Sequence, residues 1–201
     1  MLSYLAAALP ADTGAAARLI ALQCALRMNG SAEVRVPYGV LRSLHLGAAK
    51  DPWLELSHAK WLRVVPHDPL TGGRVRAVQL LDMDWSSQHP ARPDRLRAAD
   101  WALRLTGGIR ADSKPSHRLM ALCLAAHSAP DSAHGKAEVE QLARECGVPS
   151  STFIAAVDSL ATQEVLSSWN LGQTSEDLHW TLMSRFQERR VQNSDGRTEA
   201  S

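Results

Sequence analysis

No stretch of this chain approaches the 18 or more consecutive apolar residues that a membrane-spanning helix needs, so a spanning protein is not expected. Charge of one sign is also missing: 22 Lys+Arg stand against 21 Asp+Glu, a formal net charge of +1. That excludes a histone-like, uniformly basic protein. It leaves nucleic-acid binding open, because a partner feels the local charge distribution and not the sum. Cysteine is scarce. Cys24, Cys123 and Cys146 form an odd, scattered set, not a disulfide framework, which points to a reducing compartment. The apolar start, Met1 to Ala8, has no Lys or Arg before it and so lacks the basic n-region of a secretory signal; it reads as mature protein. Lysine is scarce too, at 4 against 18 Arg, and there are 30 Ala, a bias typical of GC-rich bacterial coding.

Catalytic signatures are lacking as well. Asp82-Met83-Asp84 pairs two acids, but no Gly-rich phosphate loop or nucleophile motif accompanies them, and they read as a cap on a connector. His117, His127, His134 and Cys146 are spaced by ten, seven and twelve residues, unlike the close pairs of structural zinc sites. Cys24 and Cys123 lie among Leu and Ala and read as buried core thiols. The expectation is therefore no enzyme, no cofactor and no metal.

What the chain does contain is a repeat. Residues 18–22 read Arg-Leu-Ile-Ala-Leu and residues 118–122 read Arg-Leu-Met-Ala-Leu, an offset of 100. The same offset aligns Ser43–Gly47 with Ala143–Gly147, and Trp53 with Phe153. A length of 201 residues allows one large domain or two near 100, and the offset favours one domain written twice. The boundary falls at 82–116, where Pro90, Pro93, Gly107, Gly108 and Pro115 punctuate a connector. Within it, Leu96, Ala99 and Leu103 predict one short helix over 94–105.

The second copy is the clearer. Leu119, Leu122 and Ala126 share one face of a first helix that ends before Pro130. Lys136–Cys146 predicts a second helix with Val139, Leu142 and Ala143 inward, and Phe153, Val157 and Leu160 at i, i+4 and i+7 predict a third. Between these, Ala143 is small where helices cross, Gly147 can take the left-handed conformation that ends a helix, Val148 fills the gap, and Ser150 or Ser151 can cap the next helix. A strand at Val165–Leu166, a polar turn over 170–175 and a strand around Leu178, Trp180 and Leu182 follow. Trp169 and Trp180 flank this hairpin and can pair across it; exposed, they would form a partner surface.

Three helices with this turn, followed by a hairpin, resemble the winged helix-turn-helix domain. The resemblance covers residues 117–183. The first copy repeats the plan: a helix Ala15–Asn29 closed by Gly30, a short strand with Val34 and Val36, and a helix Pro37–Leu46 before Gly47. Asp51-Pro52 then starts a third helix running to about Leu62. The wing consists of a strand Leu62–Val65, a turn over Pro66–Gly73 and a return strand Arg74–Leu81. Here Ser43 replaces the family's usual small Ala, and Ala48-Ala49-Lys50 is not a typical turn, so this copy leans on the duplication. The expected fold is mainly α with small β-hairpin wings. It has a basic winged-helix domain over 1–81, a connector over 82–116, an acidic winged-helix domain over 117–184, and a helix end with a disordered tail over 185–201.

The copies differ in charge. Residues 31–80 hold seven basic residues (Arg35, Arg42, Lys50, Lys60, Arg63, Arg74, Arg76) and four acids (Glu33, Asp51, Glu55, Asp68), a net of +3. Residues 131–182 hold two basic residues (Lys136, Arg144) and eight acids (Asp131, Glu138, Glu140, Glu145, Asp158, Glu164, Glu176, Asp177), a net of −6. Phosphate contacts by Lys and Arg supply much of the affinity for duplex DNA. The resemblance therefore implies that the first copy dominates binding. Ser57, His58 or Trp53 would read bases, although Trp53 aligns with core Phe153 and is better expected buried. Lys50, Lys60, Arg63, Thr71, Arg74 and Arg76 would contact the backbone, the last two alternating on one side of the wing strand. Ser150, Ser151 and Thr152 open the second copy's third helix, which has no Lys or Arg over 150–163.

The expectation is a sequence-specific duplex-DNA-binding regulator of bacterial type, cytoplasmic and nucleoid-associated, with a homodimer or protein partner possible through the acidic copy. Paired winged helices also occur as acidic scaffolds of the kleisin-binding kind and in plasmid or mobile-element replication and partition proteins, and both readings stay open.

Overall fold

The computed structural model describes residues 1–46, 51–65, 75–81, 90–129, 132–172 and 176–186. Helices carry most of the described chain, with two small three-stranded antiparallel sheets. In chain order the elements are α1 (Leu2–Ala8), α2 (Ala15–Arg27), β1 (Glu33–Pro37), α3 (Tyr38–Ser43), α4 (Pro52–His58), β2 (Leu62–Val64), β3 (Val75–Leu80) and α5 (Arg92–Gly107). They continue with α6 (Pro115–His127), β4 (His134–Glu138), α7 (Val139–Cys146), α8 (Ser150–Thr162), β5 (Leu166–Leu171) and β6 (Asp177–Leu182). The order helix, strand, helix, helix, strand, strand thus occurs twice. The sheets have matching strand orders, β1-β3-β2 and β4-β6-β5.

The correspondence extends to single bonds. Leu80 N–H donates to Ala32 at 2.9 Å, as Leu182 N–H does to Ala133 at 2.9 Å. Trp61 N–H donates to Leu56, as Val165 N–H does to Leu160. Just before those donors, Lys60 (φ 54°) and Glu164 (φ 56°) both take the left-handed conformation. The offset is 100 at α2 and α6, 98 at the starts of α4 and α8 and 104 at Trp61 and Val165, because α4 has 7 residues where α8 has 13.

This corrects two expectations. The third helix of the first copy ends at His58, not near Leu62, and Lys60 lies in the turn beyond it. In the second copy, His134–Glu138 is a strand paired to β6, not the start of a helix. Gly135, Lys136 and Ala137 offer little β-propensity and no apolar alternation, so only pairing with β6 makes them a strand. At the helix starts, Asp51 accepts from Trp53 N–H at 3.0 Å and Leu54 N–H at 3.4 Å, as Asp-Pro implied. Neither serine caps α8: Pro149 occupies the cap and Ser150 is already helical.

Every residue from Ala16 to Leu26 is buried, including Arg18 and Gln23. A helix apolar on all sides belongs in the interior, and α2 and α6 pack against each other at the centre of one continuous core. α1, which the sequence did not announce as a helix, lies on α7 as well as α2. α5 runs to 16 residues and packs on α2, α3 and α6. The exchange is reciprocal: the helix before the first unit rests on the second unit's α7, and the helix before the second rests on the first unit's α3.

Candidate nucleic-acid interface

The described basic residues expected to meet DNA, Lys60, Arg63 and Arg76, go to three places. Arg76, on β3, registers with Val36 and so shares the sheet face that carries Val78 and Leu80 inward. At the strand's outer end this face meets Trp53, and the Arg76 guanidinium sits 5.3 Å from its ring centroid. Trp53 itself is buried. Around this pair is a cavity of about 930 Å³ between α3, the start of α4 and strands β2 and β3. Arg42 and His45 line it from the α3 side, with Tyr38 and Pro52. Arg42, His45 and Tyr38 are exposed.

Arg63 lies elsewhere, on the outer sheet face, where it donates to Gln79 at 2.6 Å. Ser57 and His58 close α4, and His58 borders a second cleft of about 750 Å³ that also includes Lys114 and Glu55. Lys60 is exposed in its turn. Ser57, His58, Lys60, Arg63 and Arg76 thus do not share one surface, because α4 ends at His58 and Arg63 points to the other side of the sheet. Lys50, Thr71 and Arg74, with Gly47, the wing turn 66–73 and Asp82–Asp84, lie outside the described residues, as does the tail beyond 186. The residues that sequence reasoning missed are Arg42 and His45. Arg42 counted toward the basic total but carried no position until α3 and β3 were side by side.

None of the described acids of this unit lines the Trp53 cavity. Glu55 reaches back to accept from Gly14 N–H at the start of α2, and Asp51 is spent capping α4. In the second unit, Ser150 is half-buried while Ser151 and Thr152 are exposed on α8. Lys136 is engaged with Asp177 at 2.9 Å, and Arg144 is exposed on α7. Trp169 and Trp180 are register partners across the β5–β6 pair. Trp180 is buried and donates to Ser128 Oγ at 3.0 Å.

One cluster of potential metal ligands was overlooked. Cys123 and His127 stand four residues apart on α6, the close pair that the His-led search left out. Glu145 of α7 joins them. Its Oε2 accepts from Cys123 Sγ at 3.3 Å and lies 2.8 Å from His127 Nε2, while its Oε1 accepts from Ser3 of α1 at 2.6 Å. Burial alone would raise the Glu145 carboxyl; hydrogen bonds from His127 and Ser3 outweigh it and hold the group at about 2. Contact with Cys123, then with Glu145, pushes His127 up to about 10. The Cys123 thiol, against Cys146 and out of water, is raised well above its ordinary value. A buried, raised thiol is not an activated nucleophile.

No known family model matches the chain, and neither a curated protein nor a solved structure shows significant similarity to it.

Proposed function

We propose that the chain is a tandem winged helix-turn-helix protein that binds duplex DNA through its first unit and acts as a bacterial transcriptional regulator. The observation that carries this reading is the grouping of Arg42, His45 and Arg76 around Trp53, between α3, the start of α4 and the wing strands. In a winged helix this is the side on which the third helix and the wing meet the duplex. The Arg42 and Arg76 guanidiniums there answer the phosphate line, and none of the unit's described acids lines that cavity. The second unit opposes the same use, since α8 has no cation and the segment around it is net acidic. It serves instead as the fixed partner of the first. The reciprocal packing of α1 on α7 and α5 on α3 supplies within one chain what an isologous dimer supplies with two.

The test is binding of the full chain to random and genomic duplex DNA at two salt concentrations. The reading expects measurable affinity that falls steeply with salt, and an absence of binding at low salt contradicts it.

A further inference from the structure

We infer that Cys123, His127 and Glu145 form a binding site for a divalent transition-metal ion of the zinc class. Their ligand atoms all lie within 4.8 Å of one another. Around a tetrahedral zinc ion, bond lengths of about 2.3 Å to sulfur and about 2.0 Å to nitrogen and oxygen place these ligand atoms roughly 3.3–3.5 Å apart. The Cys123–Glu145 contact at 3.3 Å is near that spacing, and the 2.8 Å His127–Glu145 contact would open slightly to admit an ion. An i, i+4 pair on one helix face with a third ligand from the adjoining helix is rigid scaffolding for such a site.

The donor set selects the metal. One thiolate, one imidazole and one carboxylate suit zinc or cobalt; magnesium and calcium take oxygen ligands. Access exists on two sides: the His127 side chain is 25% exposed, and a cavity of about 270 Å³ borders Glu145 and Ser3.

The first unit shows that the fold does not require this chemistry. At the positions of Cys123 and His127, offset by 100, stand Gln23 and Arg27. Arg27 donates to Gln23 at 3.1 Å and pairs with Asp100 of α5 at 2.7 Å, and Gln23 donates to the Ala99 carbonyl. Hydrogen bonds and an ion pair occupy that place in the first unit, whereas the second unit has a thiol and an imidazole there.

The inference is independent of DNA binding and is tested without it. The reduced full chain is titrated with Co2+ and followed by absorption. The expected result is one equivalent bound, with a thiolate-to-cobalt charge-transfer band and the visible bands of a tetrahedral ion, all displaced by Zn2+. Cys123→Ser and His127→Gln should abolish the bands, and Cys24→Ser should leave them intact. His127 is partly exposed, so His127→Gln carries the test if Cys123→Ser does not fold. A wild-type chain with no charge-transfer band at stoichiometric Co2+ overturns the inference, as does a band that survives His127→Gln or disappears with Cys24→Ser.

Discussion

Arg18 of the first unit ends against Gly147 of the second: a Cβ built on Gly147 would lie 2.3 Å from Arg18 Nε. The guanidinium is fixed there by donation from Nε to the Thr13 carbonyl at 3.0 Å and from Nη2 to the Pro10 carbonyl at 2.9 Å. Gly147 closes α7 with φ 67° and opens the turn into α8. The turn of one unit is thus shaped around a buried arginine of the other. Arg118, the repeat partner of Arg18, is equally buried and donates to the Thr106 and Arg110 carbonyls.

Gly147→Ala should therefore destabilise the chain strongly. The left-handed conformation costs about 1–2 kcal/mol and the steric conflict adds about 1–3 kcal/mol. Gly107→Ala is the control, since nothing lies within 4 Å of a Cβ there. Denaturant midpoints for the two variants check this, and equal midpoints would mean that the Arg18 contact is absent.

Gly135 has a similar restriction with a different neighbour. Its Cβ would fall 2.2 Å from the Trp180 ring. Gly135→Ala should displace Trp180 from Ser128 and cost about 1–3 kcal/mol, as overpacking does. Urea unfolding beside Gly39→Ala, whose Cβ meets nothing within 4 Å, measures the difference.

Glu55→Gln should weaken the seat of α4 on α2. The carboxylate accepts from Gly14 N–H at the helix start, where a negative charge is worth about 0.3–1 kcal/mol at low ionic strength. The loss should shrink as salt is raised, and thermal melts at two ionic strengths show whether it does.

His117 should make stability fall on acidification. Burial, with Lys114 nearby, lowers its imidazole below the ordinary 6.5. Gln163 also donates to Nδ1 at 3.1 Å, which the neutral ring accepts. The unfolded chain then takes the proton first, so the contribution is present above the unfolded pKa and is lost as pH drops below about 6.5. Compared with His117→Asn, the wild type should lose more stability between neutral and mildly acidic pH. Parallel profiles would remove His117 from the account.

The repeat was legible because Arg18-Leu-Ile-Ala-Leu and its counterpart lie in the fully buried stretches of α2 and α6, where packing on every side restricts change. The turn around Gly147 was legible for the same reason. The wing side of the first unit was harder to read. Trp53 to Leu56 spans three residues where Phe153 to Leu160 spans seven, so the third helix was carried about a turn too far, past His58. β4 was hidden because its strand character comes from β6. The Cys123–His127 pair was visible in sequence at i, i+4, but its meaning needed Glu145, which only the packing of α7 on α6 brings to it.

The most direct test of DNA binding by the first unit is the salt dependence of affinity for wild type and for Arg42→Ala with Arg76→Ala. Each phosphate contact contributes about one to the slope of log affinity against log salt, so the double variant should bind more weakly and lose about two from the slope. Ser151→Ala with Thr152→Ala, on the second unit's α8, should leave both nearly unchanged. An unaltered slope in the arginine variant, or an equal loss in the α8 variant, would contradict the account.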